Sequence, residues 1–354
     1  MAAIALASGE QLVEPDDVRG GHGVRVDEHD EHGHDEGPRV DSRARGRKDS
    51  SEREASLFRE DEMASLGVSK EHLLSRGAAR FKDLVYLALQ DKKLHKKEVP
   101  HTRLGSVDGG ELASVADLPW NAAGMCVAKA PSEKLVVVSG DGKVFTYVGG
   151  EEGSETISKP ADLRGCASIA GQAHAFGMGR EVFRREGEGR WRAMHAPKAK
   201  GDQVVGFEAL DGFDAKDLYA VGWDGEIWHC DQGTWTQCSS PAQVILTAVC
   251  CAGDGQVYAG GQSGTLLRGR GKKWEVVKTG LGEDLWDIRW FMGQLYVATL
   301  SALYVLEGGA LVAVDFGRNA PKSFYKLTDA EGVLWSIGQK NVCSFDGAEW
   351  RRWE

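Results

Sequence analysis

The stretch Asp217-Leu-Tyr-Ala-Val-Gly-Trp-Asp-Gly-Glu-Ile-Trp-His-Cys-Asp-Gln-Gly-Thr-Trp235 decides the fold. It reads as an apolar strand, a glycine-containing turn, an alternating strand, a second turn, and a tryptophan that opens another strand. The next unit repeats the order in Gln256-Val-Tyr-Ala-Gly-Gly-Gln-Ser-Gly-Thr-Leu-Leu-Arg-Gly-Arg-Gly-Lys-Lys-Trp274. Further copies begin at Leu135 and Val333, and more worn ones at Ala173 and Gln294. Matching turn positions Asp141, Gly179, Asp224, Ser263, Leu300 and Gln339 follow one another at 38, 45, 39, 37 and 39 residues. The tryptophans keep the same time: Trp191 to Trp235 is 44, Trp235 to Trp274 is 39, and Trp274 to Trp350 is 76, twice 38. Two markers sharing one period define a repeat protein whose unit is a four-stranded sheet.

The innermost strand of each unit is expected at Phe207-Glu-Ala-Leu, Leu246-Thr-Ala-Val, Leu285-Trp-Asp-Ile and Phe324-Tyr-Lys-Leu. Glycines at the turn between the second and third strands permit positive φ. The fourth-strand tryptophan is large enough to wedge between adjacent sheets. Pro119, Pro160, Pro197, Pro241 and Pro321 fall between units, where no ladder hydrogen bond is lost. The fold class is therefore all-β, a single β-propeller, with an antiparallel solenoid as the minor alternative. Residues 120–354 supply six blades. Asp83 to Lys97 aligns with the strand at Asp217 and argues for a seventh, its excess length assigned to an inserted loop at 105–118. Seven four-stranded blades are favoured over six, and Ser69 to Arg80 is alternatively a short helix capped by Ser69.

These repeats resemble the WD40/YVTN/BNR-like propellers common in bacteria. Asp231 to Trp235 and Ser344-Phe-Asp-Gly-Ala-Glu-Trp350 are similar to degenerate Asp boxes. They depart from the full S-x-D-x-G-x-x-W pattern, so the resemblance implies architecture and carries no activity.

Ahead of the repeats, residues 1–62 are expected to be a disordered acidic leader, with the propeller spanning 63–354. The leader holds nine Arg/Lys against seventeen Asp/Glu, which leaves −2 of the chain's −10 for everything after it. That near-neutral body lacks the basic footprint of a nucleic-acid binder. Within the leader His22, His29, His32 and His34 lie among carboxylates, a composition that suits a metal-binding tail as well as a solvated one. Met63 stands where the composition turns globular and is an alternative initiator. The first residues carry no basic n-region, and no run of about 18 apolar residues exists, so neither a signal peptide nor a transmembrane helix is expected. Seven cysteines, Cys250 and Cys251 adjacent, make no disulfide framework and read as buried thiols of a cytoplasmic protein.

Enzyme signatures are absent: there is no G-x-S-x-G, H-E-x-x-H or G-x-x-x-x-G-K-[ST]. Asp211, Asp214 and Asp217 lack the alternation of a calcium loop and read as turn carboxylates. No cofactor is expected. The favoured function is a non-enzymatic propeller that binds another protein, as an immunity-type or adaptor molecule that blocks or scaffolds its partner. Its binding loops, on the face shared by inter-blade connectors and second turns, would present Lys198, Lys200, Asp202, Glu283, Asp284, Trp286, Arg318 and Lys322, with Arg289 nearby. The alternative is a glycan-binding or glycan-active, sialidase-like propeller. Tyr325, Arg289, Asp287 and Glu208 would then converge on the central axis.

Overall fold

The computed structural model describes residues 71–198, 201, 203–317 and 320–353. They form seven four-stranded antiparallel sheets, each made of four strands consecutive in sequence, here called a to d. Blade 1 comprises His72–Phe81, Leu84–Asp91, Thr102–Asp108 and Glu111–Leu118. Blades 2 to 7 occupy 122–156, 163–193, 207–238, 246–277, 287–313 and 326–353. The seventh blade anticipated from Asp83 is therefore present.

Two expectations for blade 1 need correction. The alternative helix at Ser69 to Arg80 is strand a, His72–Phe81, which pairs along its length with Leu84–Asp91. The insert is also displaced: 105–118 belong to strands c and d, and the extra residues are 92–101 between strands b and c. There a helical turn, Lys92–Lys96, begins at Asp91, whose carboxylate accepts the N–H of Lys93 (2.7 Å) and of Leu94 (2.9 Å). These backbone bonds, led by that from Leu94, hold the Asp91 carboxyl below its ordinary range.

The fourth-strand tryptophans face the preceding blade. Trp191 Nε1 donates to Glu155 of blade 2 (2.9 Å), and Trp235 Nε1 to Met194 O behind blade 3 (2.8 Å). Trp274 meets the ring of Tyr219 edge-on, at 6.2 Å between centroids. The Trp191 contact completes a buried cluster in which Arg185, fully enclosed, donates Nη2 to Glu155 (2.6 Å). All five inter-unit prolines lie in d-to-a connectors.

Glycine has two separate duties in the repeat. At the b–c turn, Gly225 and Gly264 take φ of +67° and +68°, behind Asp224 and Ser263, which are themselves left-handed. Gly222, at the end of strand b, has extended backbone and is required for closeness: a Cβ there would stand 1.9 Å from Gly206 O. Gly177 and Gly338 make the same approach, at 2.0 Å, to the carbonyls of Asp162 and Ser323. Each blade so built lays its b–c turn against the connector that enters it.

The ring closes without a shared strand. Blade 1 abuts blade 7 through Leu74 N–H to Gln339 O (2.8 Å) and Ala79 N–H to Thr328 Oγ1 (3.1 Å). Behind these bonds Trp335, with no exposed surface, packs with Leu74, Val85, Leu87 and Ile337.

Two consequences are measurable. Gly222→Ala forces a clash with backbone and is expected to cost about 3 kcal/mol in denaturant unfolding, as overpacking does; a neutral result would refute the close-approach role. His174, on strand b of blade 3, has no exposed surface, and burial lowers its pKa from 6.5 to about 4. Only its Nδ1 is bonded, to Gln172 O at 2.9 Å. The unfolded chain takes up this proton first. Its contribution is therefore complete above pH 6.5 and is lost as pH falls towards 4, by about 3 kcal/mol. His174→Gln should flatten that part of the stability profile, and an unchanged slope would contradict it.

Candidate functional site

Strand a of every blade faces the central channel, and its polar side chains bond across all seven blade junctions. Arg76 Nε donates to Ala122 O (3.2 Å) between blades 1 and 2. The thiols of Cys126 and Cys166 lie 3.3 Å apart between blades 2 and 3. Arg164 Nε donates to Glu208 Oε1 (3.1 Å) between blades 3 and 4. Asp211 accepts Cys251 N–H (2.8 Å), and Thr247 Oγ1 donates to Leu285 O. Asp287 accepts Leu327 N–H (3.0 Å), Arg289 donates to Asp329, and Thr328 closes the ring on Ala79.

This ring sets the chemistry available in the channel. Burial opposes the charge on Arg289, yet Asp329 and Asp211 together hold its guanidinium above the ordinary range. Burial raises the Asp211 carboxyl despite that same arginine. Asp211 therefore belongs to an innermost strand and is no solvated turn group, which corrects the sequence expectation. Asp214 does cap a turn, accepting Lys216 N–H (2.7 Å), and Asp217 bridges His229 (2.9 Å) and Arg270 (2.6 Å). The three carboxylates serve three separate local structures. Among the described residues no group of His, Cys, Asp and Glu is placed to hold a metal ion.

The connectors and b–c turns share one face, as expected, and this connector face gathers six of the residues singled out in the sequence. Trp286 and Tyr325 precede the inner strands of blades 6 and 7 and pack ring to ring, at 5.3 Å between centroids. Lys326 Nζ lies 5.3 Å over the tyrosine ring and donates to Trp286 O (3.3 Å). Both rings are half-buried. Glu283 accepts from Ser301 Oγ (2.6 Å) and Asp284 from Ser263 N–H (2.8 Å), so these carboxylates tie the blade 5–6 connector to adjoining b–c turns. Lys198 and Lys322 project into solvent. Arg289 is set apart from them, inside the channel. Lys200, Asp202 and Arg318 lie outside the described residues, as do His22, His29, His32 and His34 and the whole 1–62 segment.

Several residues on this face escaped the sequence reading. The 92–101 insert carries Lys92, Lys96 and Lys97 around Leu94 and Val99, which are 37% and 44% exposed. It is fastened at its return by His101, whose Nε2 accepts Asp91 N–H (2.6 Å) while Nδ1 donates to Val99 O (2.8 Å). Val204, 59% exposed, crowns the connector between blades 3 and 4. That connector is clamped by Arg180, which pairs with Glu226 (2.8 Å) and donates to Pro197 O (2.8 Å). The run of lysines was the available signal, but its alignment with an apolar strand hid it.

Solved structures place the architecture. The chain is similar to YCF48 bound to D1 peptide, with TM-score 0.60 and 14% identity over 80% of this chain and 94% of that one. It is also similar to Chaetomium thermophilum Sqt1 bound to the N-terminus of the ribosomal protein L10, with TM-score 0.58 and 13% identity over 81% and 88%. At such identities the likeness concerns fold alone. No protein-family model matches, so the Asp-box resemblance gains nothing further. The fold is that of a seven-bladed β-propeller. Among curated proteins it is 42% identical over 291 residues to Immune protein Tsi7 of Pseudomonas aeruginosa, covering 78% of this chain and 95% of that protein. The chain belongs to the family of that immune protein. It is an immunity-type, non-enzymatic propeller, and nothing in the comparisons favours the glycan alternative. Among the described residues no helix is long and apolar enough to cross a membrane.

Proposed function

We propose that this protein neutralises a cognate toxin by binding it on the connector face, and that it does so in the cytoplasm. The observation that carries this is the 42% identity with an immune protein across 95% of that protein's length. The face is argued from chemistry. A half-exposed Trp286–Tyr325 pair offers a rigid aromatic anchor of the kind that dominates interface energies. Around it, free cations at Lys198 and Lys322 and the apolar-centred insert at 92–101 form a charged rim. Blocking by occlusion needs no chemistry from this chain, in keeping with side chains in the channel that already hold the blades together.

The test uses the toxin captured with this protein from its native host. Replacing Trp286 and Tyr325 together by alanine is expected to weaken the complex at least about tenfold by calorimetry, and to abolish protection of growing cells. Met292→Ala, on the opposite face and 58% exposed, should leave both unchanged. Full affinity in the double variant with loss in Met292→Ala would place the toxin on the other face. A captured protein that does not impair growth would overturn the immunity role itself.

A further inference from the structure

The strand-a cations of the channel divide unevenly. Arg80 is paired with Glu133 (2.6 Å), Arg164 with Glu208 (3.1 Å), Arg289 with Asp329, and Lys326 with Asp287 at 4.0 Å. Arg76 has no carboxylate partner among the described residues. Its single hydrogen bond runs from Nε to Ala122 O at 3.2 Å. The nearby carboxylate, Glu208, is already taken: its Oε1 accepts both Arg164 Nε and Trp223 Nε1, the latter at 2.7 Å. Burial opposes the charge on the Arg76 guanidinium and Tyr325 favours it, with Arg164 opposing and Glu208 favouring it more weakly. Each of the other four cations faces a carboxylate, whereas Arg76, partly exposed on the channel wall, does not.

We infer that the channel is a binding site for a carboxylate, seated end-on against the two terminal nitrogens of Arg76. With Nε committed to a carbonyl, those nitrogens present a planar fork whose spacing matches the two oxygens of a carboxyl group. The surrounding cavity of about 410 Å³ is lined by Arg76, Arg164, Glu208 and Asp211 among others, and holds a small organic acid or one acidic side chain. The same wall decides between anions. Apart from Arg76 the charged groups on this wall balance, five carboxylates against five cations, so no excess positive field favours a doubly charged phosphate over a singly charged carboxylate. Thr247 and Thr328 add hydroxyls, already engaged with blade backbone, that keep the wall polar without adding charge. The inference rests on the channel alone and stands or falls separately from the identity of the toxin.

The probe is N-acetyl-aspartate N-methylamide, a capped residue with one carboxylate, titrated into the full chain at fixed ionic strength and followed by calorimetry and guanidinium NMR. Binding is expected, with a shift of the Arg76 terminal nitrogens, and the asparagine counterpart should bind at least about tenfold more weakly. Arg76→Gln should lose the same factor. Arg76→Lys, which keeps the charge and the aliphatic stem but not the fork, should lose most of it while the protein still unfolds cooperatively, which separates loss of the seat from loss of the fold. Equal binding of the asparagine counterpart, undiminished binding in Arg76→Lys, or tighter binding of inorganic phosphate would overturn the inference. Repeating the titration on the toxin complex separates the two sources of the group. Exclusion of the probe assigns the seat to an acidic side chain of the partner, and retained binding assigns it to a free small acid.

Discussion

Each blade is a sheet with one buried edge and two faces that must be covered, and the structure is held by what passes between inner strands at the seven junctions. Every junction carries a contact of this kind, from Arg76–Ala122 through Asp287–Leu327 to Thr328–Ala79. A single such bond contributes only about 1 kcal/mol net, but leaving one of these buried groups unpaired costs more than that. The ring therefore selects one spacing of the blades. Apolar layers such as Tyr219, Val221, Leu246 and Val257 between blades 4 and 5 supply the driving force behind it. The junction of blades 7 and 1 shows how far this reaches, because no strand is exchanged there and the Leu74–Gln339 and Ala79–Thr328 bonds with packing on Trp335 close the ring.

That constraint supports the proposed location of the binding surface. Side chains that could have made a catalytic pocket on the axis are spent on neighbours, Arg289 on Asp329 and Arg164 on Glu208. The half-exposed Trp286–Tyr325 pair and the lysines of the connector face stand outside this network, raised there by long connectors and by the 92–101 insert. Glycines at the end of strand b, Gly177, Gly222, Gly261 and Gly338, bring the b–c turns of blades 3, 4, 5 and 7 against the connectors of their own blades, so the two kinds of loop support one another. Asp284 on Ser263 and Arg180 on Pro197 add polar ties. A rigid loop face loses little conformational entropy on docking, which suits a tight blocking complex.

Much of this was legible in the sequence, for reasons that particular residues make clear. The b–c turn demands left-handed backbone at Asp224 and Ser263 followed by glycine, and the wedge between blades demands a tryptophan. The turn recurs in blades 4 and 5 and the tryptophan in blades 3, 4, 5 and 7, often enough to keep time in the sequence. Trp286 and Lys322 could be placed on the correct face from strand order alone. Junction contacts were hidden because they join residues about forty apart on separate strands, as Asp211 and Cys251 do, and no local pattern records them. Asp211 was misread for that reason. The insert was misplaced because its b strand, Leu84–Asp91, matches the repeat so well that Lys92–Lys96 was drawn into the next strand.

The central claim is that this propeller blocks its toxin with the connector face. Hydrogen exchange of the chain, free and in the toxin complex, tests it without altering a residue. The account predicts new protection at 92–101, 203–206, 283–286 and 322–325, with the opposite turns at 213–216, 252–256 and 292–293 exchanging as before. Protection confined to those opposite turns, with the connector face unchanged, would contradict it.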